Sequence, residues 1–208
     1  MSASEFEELQ GASERGGVDA VLATLSQQLR ARKKHHELFE ALKMQLRRRL
    51  GLPLLYSDSG DDLTEERRKQ LEDGLIDACR EVGLLLLDEG RVREGWMYLR
   101  PVGDKKAAAE LLAKIEANEE NTEELVDVCL REGVDVERGF QLVLKSHGTC
   151  NAITTYEGEM PRHPRREQQI AARLLVRHLY EELTSNLKAD IARQEGSQIG
   201  RASCRERV

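Results

Sequence analysis

Apolar positions along this chain recur at intervals of three and four residues, the rhythm of amphipathic helices. Val18, Leu22, Leu25 and Leu29 keep the i, i+4, i+7 pattern, and after the polar break Arg30–Lys34 it resumes at Leu38, Phe39, Leu42, Leu46 and Leu50. Gly51 and Pro53 end this second run, because glycine suits a left-handed cap and proline cannot extend the backbone ladder. Residues 1–16 are polar and expected to be disordered, residues 17–56 form an N-terminal helical hairpin, and the turn formers of 57–62 read as a linker. Asp62 or Thr64 then caps a long helix whose buried stripe is Leu71, Leu75, Cys79, Val82 and Leu86. Val92–Leu99 returns along it. Asp104 caps an alanine-rich helix through Ile115, Asn121 starts another through Leu130, and Gly133 and Asp135 turn the chain into Val136–Leu144. A closing helix over Arg165–Arg193 keeps Ile170, Leu174, Leu179, Leu183, Leu187 and Ile191 in register. No segment alternates polar and apolar residues long enough to predict a strand. The fold class expected is all-α, built from antiparallel helical hairpins.

The centre of the chain carries the sharpest signal. Gly83 lies in an apolar run that ends in the turn Asp88-Glu89-Gly90-Arg91, and Gly95 lies near the start of the helix that follows. Helices approach closely only where side chains are small, so these glycines mark the crossing of an αα-hairpin. A similar turn recurs downstream, where Glu132-Gly133 precedes Arg138-Gly139-Phe140, so that glycines repeat at 43 or 44 residues.

The span Cys79–Leu99 resembles a tetratricopeptide (TPR) repeat. Gly83 and Gly95 stand at its small positions, Gly90 at its turn, and Leu86 and Leu99 at its bulky core positions. The glycine spacing lies nearer the roughly 40–47 residues of HEAT-like arrays than the roughly 34 of TPR arrays. The resemblance implies a fragment of a TPR/HEAT-like right-handed α-solenoid over 63–146, presenting a concave face to a protein or peptide partner. It assigns no individual binding residue. Trp96, Met97, Tyr98 and Phe140 are expected to pack the core.

Composition sharpens this picture in three places. The last ten residues, Ile199–Val208, match a translation of a common sequencing adapter whose next codon is a stop, so 197–208 is expected to be a non-native or disordered tail, and the protein to continue past Gln198 in the intact gene. That segment carries three Arg and one Glu, which leaves the rest at −8 against −6 for the whole chain. Without it the cysteines are Cys79, Cys129 and Cys150, spaced for neither a disulfide scaffold nor a zinc site. The acidic start has no apolar core of a signal peptide, and no apolar run could span a bilayer, so a cytoplasmic protein with no membrane partner is expected. Finally, residues 30–49 hold eight basic and two acidic residues, a net +6 against −14 for the remainder without the tail. Arg32, Lys33, Lys34, Lys43, Arg47 and Arg48 could contact a nucleic acid or an anionic surface. Nothing supplies base readout and aromatics for stacking are scarce, which favours pairing with the protein's own acidic body or with a protein partner.

Candidate chemistry gathers in 147–196, read as a polar loop and the closing helix. His147, Thr149, Cys150, Asn151, Thr154 and Tyr156 could line a ligand site there. A nucleophilic Cys150 would need His147 as base, and a helix start at Thr149 would lower the thiol's pKa. The alternative expectation is structural, with Cys150 and Ile153 facing the core. No nucleophile elbow, phosphate loop or zinc-protease pair occurs, and no cofactor motif. His35 and His36 are adjacent and point to different sides of a helix, His163 sits in the Pro161–Pro164 turn without an acidic neighbour, and His178 flanks an apolar stripe, so no metal site is expected. A non-catalytic, helical-repeat protein-interaction scaffold is the function expected. The alternatives are an enzyme or ligand-binding module at His147–Cys150 and a weak nucleic-acid or anionic-surface binder at Arg30–Arg49.

Overall fold

The computed structural model describes residues 3–54 and 63–205, with side chains over 5–54 and 63–195. Residues 55–62, including the expected linker, lie outside it, as do the side chains of the expected tail. The described residues contain helices and turns and no strand. None of these helices is long and apolar enough to cross a membrane. The chain forms two compact units, residues 1–116 and 117–208. Their boundary falls at the exposed polar stretch Glu116–Glu120.

The first unit contains α1 (Ala3–Ala31), α2 (His35–Arg49), α3 (Glu65–Asp88), α4 (Val92–Leu99) and α5 (Lys105–Leu112). Residues 3–15, expected to be disordered, are helical. The chain breaks helical geometry at Gly16 and Gly17, where Gly17 has φ of +63°. The two arms of α1 then lie antiparallel, with Glu5 paired to Arg32 and Glu8 accepting from Gln28 Nε2 at 2.7 Å. Ala12 is buried by this folding back, whereas Val18, placed in the stripe by its spacing, follows the break directly and is exposed. Leu38, Val82 and Leu86 form a buried cluster covered by Leu29, Phe39, Leu42, Leu85 and Tyr98. Thr64 caps α3 by accepting from Arg67 N, and Asp104 caps α5 by accepting from Ala107 N at 3.1 Å.

The α3–α4 hairpin crosses at the two glycines. A Cβ on Gly83 would come within 3.0 Å of Gly95 O and 2.6 Å of Leu99 Cγ. One on Gly95 would meet Gly83 O at 3.0 Å and Leu87 Cδ2 at 2.7 Å. The backbones themselves are therefore in contact, and Leu87 and Leu99 close over the crossing from either side. Gly90, at φ +79°, makes the reversal between the helices. Met97, expected in the core, is 59% exposed because α4 turns only one face to α3, and that face holds Val92, Gly95, Trp96 and Leu99.

The second unit contains α6 (Thr122–Val126), which continues into a π-helical turn over Asp127–Arg131, then α7 (Val136–Glu159), a 3-10 turn (Met160–Arg162) and α8 (Arg165–Arg205). Asn121 does not cap α6 with its side chain; its Oδ1 accepts from Asn118 N at 2.8 Å instead. Asp135 caps α7, accepting from Arg138 N at 3.1 Å. Gly139 repeats the glycine device more tightly, since a Cβ there would sit 2.6 Å from Leu130 N and 2.9 Å from Leu130 Cα. Phe140, Val143, Leu144, Ala152, Met160 and Ala171 join Val126 and Leu130 in the core. The backbone of α8 runs on to Arg205, into the segment expected to be non-native.

Helical glycine costs roughly 0.5–1 kcal/mol against alanine, so a replacement at an uncrowded site would stabilise. Here Gly83→Leu, Gly95→Leu and Gly139→Ala are each expected to lose about 1–3 kcal/mol by overpacking. Urea denaturation checks this, and parent-like midpoints for both Gly83→Leu and Gly95→Leu would rule out the glycine crossing.

Candidate functional site

The polar segment 147–156 is not a loop. It continues α7 beyond a single break at Gly148, whose φ of +77° and ψ of 176° only glycine adopts at little cost. The break separates His147 from the residues after it. His147 Nε2 lies 2.8 Å from Glu123 Oε1 at the start of α6, so the ring is engaged by a carboxylate and not by the thiol. Asn151 Nδ2 donates to His147 O at 2.8 Å, and Thr154 Oγ1 donates to Cys150 O at 3.2 Å, both local bonds along the helix. Tyr156 packs edge-on against Phe140 with ring centroids 6.2 Å apart and covers the core.

Thr149 points to α8. Its Oγ1 donates to Glu182 Oε2 at 2.6 Å and lies 3.1 Å from His178 Nε2, so with its proton on Glu182 it accepts from a protonated Nε2. The segment's polar groups thus tie α7 to its neighbours and do not converge. Cys150 and Ile153 were expected to face the core, but both are exposed. The break at Gly148 rotates the second arm of α7 so that Ala152 takes the buried position, with Met160 buried in the 3-10 turn that follows.

The basic residues of 30–49 are largely paired with the first unit's own acidic groups. Arg30 donates to both oxygens of Glu81 at 2.5 and 3.2 Å, and Arg32 pairs with Glu5. Lys33 lies 3.1 Å from Glu89, Lys34 3.9 Å from Glu37, Lys43 2.9 Å from Glu40, and Arg48 3.1 Å from Asp19. Arg47 Nε donates to Pro53 O at 2.5 Å. Lys43 and Arg47 also edge a cavity of about 300 Å³ between α2 and α3, floored by Phe39, Leu71 and Leu75. Exposed pairs of this kind contribute little stability each.

Two histidine constellations escaped the sequence. His35 is buried, with Nε2 3.1 Å from Glu89 Oε2 but poorly aligned for a hydrogen bond, and among the described residues Nδ1 has no partner. His36, on the other side of α2, reaches Tyr98 OH with Nδ1 at 2.9 Å and Glu94 Oε2 with Nε2 at 2.6 Å. Arg91 donates to both oxygens of Glu94 at 2.9 and 2.5 Å. His35, and after it Lys33, holds Glu89 below the usual carboxylate range, while Arg91 and then His36 do the same for Glu94. A run of two histidines followed about sixty residues later by Arg-Val-Arg-Glu carries no periodic signal, so only the approach of α4 to α2 reveals it. His163, read as lacking an acidic neighbour, has Nδ1 2.8 Å from Glu167 Oε2 one helical turn on. Among the described residues, no three His, Cys, Asp or Glu side chains gather as a metal site.

None of the protein-family models, curated proteins or solved structures compared with the chain matches it.

Both depressed carboxylates make a pH prediction. Their pairing stabilises the fold above the unfolded value near 4.3 and is lost as pH falls through the lower folded values. Urea midpoints should therefore drop on acidification to about pH 3, and the double variant Glu89→Gln/Glu94→Gln should show a smaller drop. An equal drop in both proteins would mean that these pairs do not contribute.

The thiols separate as well. Burial pushes Cys129 up to about 12. Iodoacetamide followed by peptide mapping should modify Cys150 in the native protein and leave Cys129 intact until the protein is unfolded. His147→Ala should leave the Cys150 rate unchanged. A marked slowing would show that the imidazole activates the thiol.

Proposed function

We propose that this chain is a TPR-like helical-repeat scaffold that holds another protein and performs no chemistry itself. The observation that carries this reading is the outer half of α8. Leu183, Leu187 and Ile191, which keep the register of this helix, are 62%, 54% and 53% exposed, and Val176 and Tyr180 in line with them are 65% and 70% exposed. A row of large apolar side chains at helical spacing is a recognition surface of the helix-docking type. Within the second unit the close contact of Gly139 with Leu130 holds α7, against which the inner half of α8 packs. The engaged ring of His147 and the bonds of Thr149 to α8 give the enzyme alternative less support, and the paired cations of α2 do the same for nucleic acid.

A photo-cross-linking amino acid at Leu183 or Leu187, introduced in the cells the gene comes from, tests this. Protein adducts are expected at both positions and not at Lys145, an exposed polar site on α7. Adducts no more abundant at 183 and 187 than at 145 would overturn it.

A further inference from the structure

The stripe on α8 has a geometry that selects its occupant. At 3.6 residues per turn, Ala171, Leu174, Leu175 and His178 share the side of α8 that packs on α7, and Ala171 is fully buried there. Val176, Tyr180, Leu183, Leu187 and Ile191 fall within a band roughly 80° wide on another side, about a quarter-turn or more around the helix. A second helix can therefore lie along the stripe without displacing α7.

We infer that this second helix is α8 of another copy of the same chain, running antiparallel about a two-fold axis at Leu187. The inference rests on the protein-binding role proposed above and names the partner. An isologous contact must satisfy the same surface twice, and this one does so at Leu183, Leu187 and Ile191 and at one pair of opposite charges. About the axis at Leu187, Leu183 faces the partner's Ile191, Leu187 faces the partner's Leu187, and Tyr180 comes level with the partner's Gln194. One pair of opposite charges follows the same symmetry, while Lys188 on that edge comes beside the partner's Lys188. Arg177 and Glu195 stand on one edge of the stripe, eighteen residues and therefore five full turns apart. An antiparallel two-fold brings each edge against the same edge of the partner. It sets Arg177 beside the partner's Glu195, within two residues of level, and the contact occurs twice.

The existing bond of Arg177 does not compete strongly, since it pairs with Glu181 at 3.1 Å within one exposed helix. A parallel pair is distinguishable, because it separates Arg177 from the partner's Glu195 by about 27 Å along the axis. The stretch of α8 from Arg177 to Glu195 is about 27 Å long.

Sedimentation equilibrium of the full 208-residue protein is the test. A concentration-dependent dimer is expected, weakened at least about tenfold by Leu187→Glu, which places two carboxylates on the axis, while the thermal melt at concentrations where both proteins are monomeric stays unchanged. Arg177→Glu and Glu195→Arg should each weaken self-association severalfold. Their equimolar mixture should recover parent affinity, because the heterodimer pairs Arg with Glu at both ends. A monomer at every concentration, a dimer indifferent to Leu187→Glu, or a mixture no tighter than its components would overturn the inference. A monomer that still yields adducts to other proteins at Leu183 and Leu187 would overturn only the second copy and leave the scaffold role standing. A monomer without such adducts would overturn both.

Discussion

The contact of backbone against backbone at Gly83 and Gly95 governs the first unit. Once α3 and α4 touch at this point, the axial position of α4 has little freedom, since Leu87 and Leu99 lock over the crossing from opposite sides. Two side chains one turn apart on α4 are then delivered to α2. Glu94 and Tyr98 reach His36, and Tyr98 also lies edge-on to Phe39 with centroids 5.1 Å apart. A larger residue at the crossing would move these groups out of hydrogen-bonding range while leaving every helix intact. Packing density, more than helix formation, is what this unit depends on.

The helices were legible because their apolar periodicity is long and clean, as in α2 and α3. So were the caps at Thr64 and Asp104, whose chemistry is local. The glycine crossing was also legible, because a residue without a side chain inside an apolar helical run marks the place where a neighbouring backbone comes close. What was not legible depends on contacts between distant segments. The short spacing of Phe6, Leu9 and Ala12 is too weak a signal for a helix until the reversal at Gly17 lays that arm on the next. The polar residues 147–156 looked like a loop because Gly148 and the hydrogen-bonding side chains around it imitate turn chemistry, yet the helix resumes directly after one glycine. The register of Leu183, Leu187 and Ile191 was visible, without the Val176 and Tyr180 that extend the stripe. Its exposure was not, because periodicity reports that a helix has an apolar face and is silent on what lies against it.

Charge in this chain works chiefly as a fastening. The basic run from Arg30 to Arg49 meets acidic partners on both arms of α1, on α2 itself and on α3, so segments far apart in sequence are oriented by complementary sign. Each link is modest.

The downstream turn is one residue longer than the central one, and this explains the uneven glycine spacing. Gly90 is followed by Gly95 after five residues, Gly133 by Gly139 after six, and the addition falls before the first residue of α7. Counted from the helix start the two copies coincide. Val92 and Val136 open their helices, Gly95 and Gly139 stand fourth, and Trp96 and Phe140 stand fifth, each of these positions being buried. The extra residue admits the capping Asp135 without rotating the glycine away from its neighbour. One residue inserted three positions later would turn that glycine by roughly 100° and aim a side chain at Leu130. What these hairpins preserve is a phase measured from the helix start, so the chain can lengthen its turns freely and its helix openings hardly at all.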